Sequence, residues 1–556
     1  MRRVFRMILV PFLVGGLILG AAWAGAGLTP APDVPAAAEK IEPKERKASV
    51  KQIDAASAEG AAVADLAPLP NGLVYAGASK ISMFPRPEDY DGVWETDPAK
   101  CETMSANFFS NLPDNLNHAA NAGSPWPENP NCLYMGGFSI GPVNSIETWD
   151  ETYGLWVRTF AVSDGKDTLV LTVLDGEGYF WDYQKKCTDC GAKQLGQQLG
   201  QELGIDPAGI VIAATHSHAA PEFIGGWGFV PDWYMTQIKD TIKKSVTDAV
   251  TSMQPAVLET GELLARPFNS ERRDTYRSAE EQELTYLRAL ALNGSSGKPH
   301  PTQPQTIATV GAYAAHPTTV GTNDNQASAD WVGPFEKGLE DRFGGIGLHF
   351  MTGLGNMSAS GGQQMGARLA DIVPVPGSGI TLTNTDIKVA QETWAQPVTN
   401  APLSALGLPG FFDRRFNQSP AQVQVNKDQA QKDEEGEQGT APCVSGSPVS
   451  VELPVTAATI GDQFALSTAP GEVFSNLTNT LKEESGALVT MPLAQANDAL
   501  GYMPQSFELN PVGQQGLGFV AGGVLIVNYE DSYSIDKCVG DMVLETTIGL
   551  FRELRR

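Results

Sequence analysis

The chain has 556 residues, 42% hydrophobic and 18% charged, which excludes a disordered chain and leaves room for a large core or for two to three domains. Lys and Arg number 38 against 64 Asp and Glu, a net charge of −26. Such a balance presents no basic face to phosphate, so a nucleic-acid-binding role is excluded.

Arg2, Arg3 and Arg6 precede an apolar run from Met7 to about Trp23, and Ala22-Trp23-Ala24 offers small residues where a signal peptidase reads. Residues 1–24 are expected to be a secretory signal peptide, or else an uncleaved anchor helix. The protein is therefore expected to be secreted or held in the cell envelope. Residues 25–72 are rich in Ala, Pro, Lys and Glu and read as a linker. The globular body is expected over 73–556.

Residues 85–150 hold many Pro, Asn and Trp and read as long surface loops. Val157–Val162 and Thr168–Leu174 read as a strand pair around Ser163-Asp164-Gly165-Lys166. Ala192–Leu203 is a predicted helix, Ile210–Ala214 a short apolar strand and Trp233–Ser252 a longer amphipathic helix. Strands follow at Glu283–Leu292 and Thr306–Ala315, a helix at Gly333–Arg342 and a strand at Gly347–Met351. The stretch from about 363 to 447 is rich in Gln, Asn, Pro and Asp, and ends near the charged run Lys432–Glu437. It reads as an insertion. Gln463–Ser467 is a predicted strand, Glu472–Glu484 a helix, Val524–Asn528 a strand and Asp541–Glu553 a closing helix. The pattern is mixed α/β, that is α+β sheets with flanking helices and long loops.

Six cysteines in an exported chain favour disulfides. Cys187 and Cys190 read as a disulfide-closed turn, because no second pair lies at zinc-ribbon spacing. Cys101–Cys132 and Cys443–Cys538 are the remaining expected pairs, although spacing alone leaves other connectivities open.

Four strands run into polar residues. Ile210–Ala214 leads to Thr215-His216-Ser217-His218, and Val310–Ala315 leads to His316-Pro317-Thr318. Leu348–Met351 leads to Gly353-Leu354-Gly355-Asn356-Met357-Ser358, and Phe464–Ser467 leads to Pro470-Gly471-Glu472. Sites in α/β folds gather at strand carboxyl ends. In extended backbone His216 and His218 point to one side. Two imidazoles and a carboxylate are the donors that zinc favours. Each residue also has a plainer reading: a satisfied core histidine, a helix-start acid for Glu472, turn chemistry for Ser358.

The order of these motifs resembles the neutral/alkaline, non-lysosomal ceramidases. That family's H-T-H-S-G-P is similar to His216-Ser217-His218-Ala219-Ala220-Pro221, and its A-V-H-P-T-S to Ala314–Thr319. Its S-S-D-x-x-G matches Ser328–Gly333, its N-x-G-D-x-S-P-N resembles Gly353–Ser360, its P-G-E-F matches Pro470–Val473 and its G-Y-x-T matches Gly501–Pro504. The resemblance implies Zn²⁺ on His216, His316, Glu472 and Tyr502. It implies His218 beside the metal as a substrate or transition-state partner, and Ser358 as the family's nucleophile. It places the family's arginine at Arg272, with Arg273 as the neighbouring alternative. Asn356 replaces the family's Asp, Ala359 its Pro, and Ala219-Ala220 its Ser-Gly. With 54 residues after Tyr502 (556 − 502), the family's immunoglobulin-like domain is not expected in this sequence.

The implied reaction is hydrolysis of the N-acyl amide of a ceramide-like lipid to fatty acid and sphingoid base. Either Ser358 or a water activated by the metal attacks. Another acyl amide or ester as substrate, or an inactive envelope binding protein of the same fold, are the alternatives. A lipid needs an apolar groove. Phe223–Val230 and Leu406–Phe412 are two apolar segments that either receive an acyl chain, touch a membrane or cover the core.

Overall fold

The computed structural model describes residues 63, 66–102, 129–138, 141–228, 230–273, 279–292, 304–322, 324–410, 412–425, 442–509 and 529–556. The expected signal segment, most of the linker, the charged run Lys432–Glu437 and the Val524–Asn528 strand lie outside the described residues.

The first sheet is built from β1 (Val74–Ser82), β2 (Trp156–Ser163), β3 (Thr168–Leu174), β4 (Ile210–Ala214), β5 (Gln254–Leu264), β6 (Glu283–Ala291), β7 (Thr306–Tyr313) and β8 (Ile346–Met351). Their order is β8-β7-β6-β5-β1-β2-β3-β4. The outermost pairs at both ends, β8 with β7 and β3 with β4, are parallel. A second sheet orders β9 (Ile387–Pro397), β10 (Ser450–Ile460), β11 (Phe464–Thr468) and β12 (Val489–Leu493).

The sheets share one core. Phe160, Leu171, Leu287 and Val310 pack with Ile387, Ile460, Leu466 and Met491. On its other side the first sheet carries α1 (Ala192–Leu203) and α2 (Asp232–Thr251). Val157, Val170, Leu174 and Ile212 meet Leu195, Leu199, Ile238 and Ile242 there. Helices α3 (Val332–Phe343) and α4 (Met365–Ile372) join a further core with α5 (Ser475–Glu484) and α6 (Val539–Leu554), which pack with Val451, Leu453 and Val455 of β10. This layering explains why β3 and β4 are continuous apolar runs: both faces are buried.

The β2–β3 hairpin forms as expected. The Asp164 carboxylate accepts from the Lys166 and Asp167 amides, and Gly165 takes φ +91°. The first sheet curls until Arg158 on β2 donates to the Gly347 carbonyl on β8 at 3.0 Å. The buried Arg158 also pairs with buried Glu336 on α3 at 2.7 Å.

One expectation changes, and two open readings gain detail. The region from 363 to 447 supplies α4 and the edge strand β9, which pairs with β10 along its whole length. Glu472 does not open a helix. Glu472–Val473 is a short strand parallel to Tyr502–Met503, and the helix begins at Ser475. The Glu472 amide donates to the Gly501 carbonyl, which keeps this backbone extended. In the apolar segment after His218, Phe223, Ile224 and Val230 are buried in the α-covered core. That segment is core cover, with Phe229 outside the described residues. In the second segment Leu408 and Phe412 pack against the core; Phe411 lies outside the described residues.

All three expected disulfides, Cys101–Cys132, Cys187–Cys190 and Cys443–Cys538, are present. They fit an oxidising, extracellular setting. Among the described residues no helix is long and apolar enough to cross a membrane.

Candidate metal centre

The segment Ala494–Asn497 draws distant strand ends together. The Ala494 amide donates to the Met351 carbonyl at the end of β8, and the Ala214 amide donates to the Gln495 carbonyl at the end of β4. His216 and His218 follow β4, and His316 follows β7. Ligand atoms of these three imidazoles lie within 4.8 Å of one another.

His216 sits at φ +59°, a left-handed conformation uncommon for a residue with a side chain. The two imidazoles therefore do not meet through simple extended alternation. Their Nε2 atoms are nevertheless 3.3 Å apart. His216 Nδ1–H donates to the Glu177 carbonyl at 2.7 Å, which leaves the Nε2 lone pair facing inward. His216 Nε2 is 3.5 Å from Glu472 Oε2, His316 Nε2 is 2.9 Å from the same oxygen, and Tyr502 Oη is 3.5 Å from His316 Nε2.

These spacings fit zinc. Tetrahedral donors at roughly 2.0–2.1 Å from one ion are about 3.3 Å from each other. The observed separations of 2.9–3.5 Å bracket that value. The imidazole nitrogens and the carboxylate oxygen are also donors that zinc takes.

Electrostatics follow from burial and the two acids. Burial alone would lower His216, but Glu472 and Glu177 outweigh it and raise it to about 9. Burial, then Arg272 and His216, lower His316 to about 4 against the pull of Glu472. Burial, then His216 and His316, hold His218 well below the usual imidazole range. Burial would raise Glu472, yet the histidines keep it well below the usual carboxylate range. Burial raises Glu177 to about 7.

Ser358 is half-buried on the short strand Met357–Ala359, which pairs with Asn269–Glu271. It also bridges in parallel to His316. The next residues on the partner strand separate the two arginine candidates. Arg272 Nη2 donates to Tyr502 Oη at 3.0 Å, whereas Arg273 is buried against Asp531 at 3.0 Å. Asn356 has a structural part. Its Oδ1 accepts from the Ser475 amide and hydroxyl, and its Nδ2 donates to the Ala279 carbonyl. An aspartate, lacking the donor, cannot make the last bond.

Sequence reasoning missed Glu177 and Gly137. Glu177 follows β3, a fifth strand end open to the same logic. Gly137 has φ +90°, and a Cβ there would overlap the His218 ring. Phe138 meets that ring edge-on, with centroids 5.1 Å apart. Gly137→Ala is expected to displace His218 and cut kcat/KM by about 10²-fold while the protein stays folded. Steady-state kinetics beside thermal melting checks this; unchanged kinetics would remove His218 from the working site.

Solved structures give the fold a precedent. The chain is similar to the crystal structure of neutral ceramidase from Pseudomonas aeruginosa, with TM-score 0.56 and 14% identity over 88% of this chain and 75% of that one. A ceramidase complexed with C2 matches over the same shares with TM-score 0.53 and 14% identity. The chain has the neutral ceramidase fold. The motif resemblance and the ceramidase fold thus agree, although no protein-family model and no curated protein matches the chain.

Proposed function

We propose that this protein is an exported zinc-dependent amidohydrolase that cleaves the N-acyl amide of ceramide-like lipids. The observation that carries the reading is the convergence of His216, His316, Glu472 and Tyr502 at tetrahedral donor spacings within a ceramidase fold. These four are assigned to the ion, and His218 to the substrate. A zinc ion there supplies Lewis-acid polarisation of a carbonyl and activation of water near neutral pH.

The chain's own groups do the rest. Arg272 holds the Tyr502 hydroxyl and carries positive charge toward a developing oxyanion. His218 stays neutral at physiological pH, and its Nδ1 has no hydrogen-bond partner among the described groups. That open Nδ1 suits a ring that takes a proton and passes it to the leaving amine. Ser358 is the proposed nucleophile: its Oγ takes the acyl group, the sphingoid amine leaves with the proton, and water then releases the fatty acid.

The test uses the purified protein with a fluorogenic ceramide and with simple acyl esters, before and after chelation. Ceramide turnover that chelation removes and zinc restores is expected. Zinc-dependent ester turnover without ceramide turnover would move the substrate to another acyl class. Absence of both metal and turnover would overturn the reading in favour of a binding protein.

A further inference from the structure

Arg272 works in two directions. Toward the metal centre its Nη2 donates to Tyr502 Oη at 3.0 Å and to the Gly355 carbonyl at 2.9 Å. Away from it, Nε pairs with Glu530 Oε1 at 3.0 Å. Glu530 is 2% exposed, and its Oε2 is buried without a hydrogen-bond partner among the described groups. A bare buried carboxylate oxygen costs free energy. A carboxylate kept merely to anchor backbone would spread its lone pairs over several donors, as Glu281 does. Among the described contacts, the Glu530 carboxylate serves Arg272.

The adjacent pair behaves differently. Arg273 donates to Asp531 and to the Glu508 carbonyl, and lies over the Phe474 ring. Two consecutive arginines thus meet two consecutive acids, and the Glu530–Arg272 pair is the one that extends to Tyr502.

We propose that Glu530 is a positioning residue for the metal centre, fixing the Arg272 guanidinium so that one nitrogen bridges the Tyr502 hydroxyl and the Gly355 carbonyl. The proposal rests on the zinc reading above. A guanidinium is planar, so pinning Nε and Nη2 together fixes its plane. Tyr502 is a proposed ligand, and Gly355 lies in the loop that carries Ser358. One ion pair therefore sets two parts of the site. Glu530 also offsets the Arg272 charge, which would otherwise oppose a cation beside it.

The test compares full-length wild type, Glu530→Gln, Glu530→Asp and Asp531→Asn. Zinc affinity is read by chelator competition, the ligand set by the visible spectrum of the cobalt(II) form, and Arg272 by crystal structures. Glu530→Gln is expected to weaken zinc by about 10–100-fold, alter the cobalt spectrum and release Arg272 from Tyr502. Asp531→Asn is expected to lower the melting temperature with both metal readouts unchanged. If Glu530→Gln does not fold, Glu530→Asp, which withdraws the carboxylate by one methylene, takes its place with the same expected direction. Wild-type affinity and spectrum in the folded variant, or Arg272 still bonded to Tyr502 and Gly355, would overturn the proposal. If wild type binds no metal, the zinc reading fails by itself. The crystal structures still decide: a displaced Arg272 supports the positioning role and an unmoved one refutes it.

Discussion

Alanine at position 216 is expected to remove the metal and the hydrolytic activity together. His216 is buried, its Nδ1–H is committed to the Glu177 carbonyl, and its Nε2 faces Glu472 and His218. His218 Nε2 is the nearest other imidazole nitrogen, 3.3 Å away, but it belongs to the substrate side of the proposed site. The loss should exceed the roughly 10–100-fold that outer-shell changes cost. About one zinc per wild-type chain, none in His216→Ala, and ceramide turnover falling in parallel is the expected result from metal analysis and assay on the same samples. His349 supplies the control. It is equally buried, but it sits edge-on to Trp331 and Phe335, and neither ring nitrogen has a partner among the described groups. Burial lowers it to about 3. His349→Phe should keep its zinc. Zinc retained in His216→Ala would show that the metal binds elsewhere.

Glu281→Ala is expected to cost about 3–5 kcal/mol of stability, the usual result of stripping one partner from a buried ion pair. Glu281 is fully buried. Its carboxylate pairs with Lys482 Nζ at 2.8 Å, and accepts from the Gly353 amide at 2.9 Å and from the Thr478 hydroxyl at 2.6 Å. It also accepts from Thr352 Oγ1 at 3.0 Å. Removing it leaves a mostly buried ammonium and frees the start of the loop that leads to Ser358. Activity should fall along with stability. Glu281→Gln keeps an acceptor for the loop amide and should lose less activity than alanine does. Urea unfolding and kinetics on both variants check this. A cost below about 1 kcal/mol for alanine would mean that the loop is anchored by its other contacts.

Much of the scaffold was legible locally. β3, α1 and β4 lie at the residues that apolar runs and helical periodicity mark, because burial on one or both faces writes a pattern into neighbouring residues. Other strands were not. β9 has mostly half-buried and exposed residues, so its composition reads as an insertion until β10 pairs with it. β10 contains Pro454, which argues against a strand from sequence. Pro454 is tolerated because it pairs with Thr393 on one side, while the ladder to β11 begins only at Ala457.

The candidate site divides in the same way. The sequence by itself determined which residue types stand at strand ends: His216, His218, His316, the Ser358 loop and Glu472. Their separation in the chain gives no clue to their meeting. The tertiary structure decided that, through backbone bonds between remote segments. Ala494 and Gln495 tie the ends of β8 and β4, and Gly501 holds Glu472 extended beside Tyr502. The Glu177 carbonyl sets which nitrogen of His216 faces inward. The physical reason is that side-chain periodicity is a local signal, whereas donor spacing of about 3.3 Å is fixed by main-chain hydrogen bonds between segments remote in the chain, such as Ala214 and Gln495.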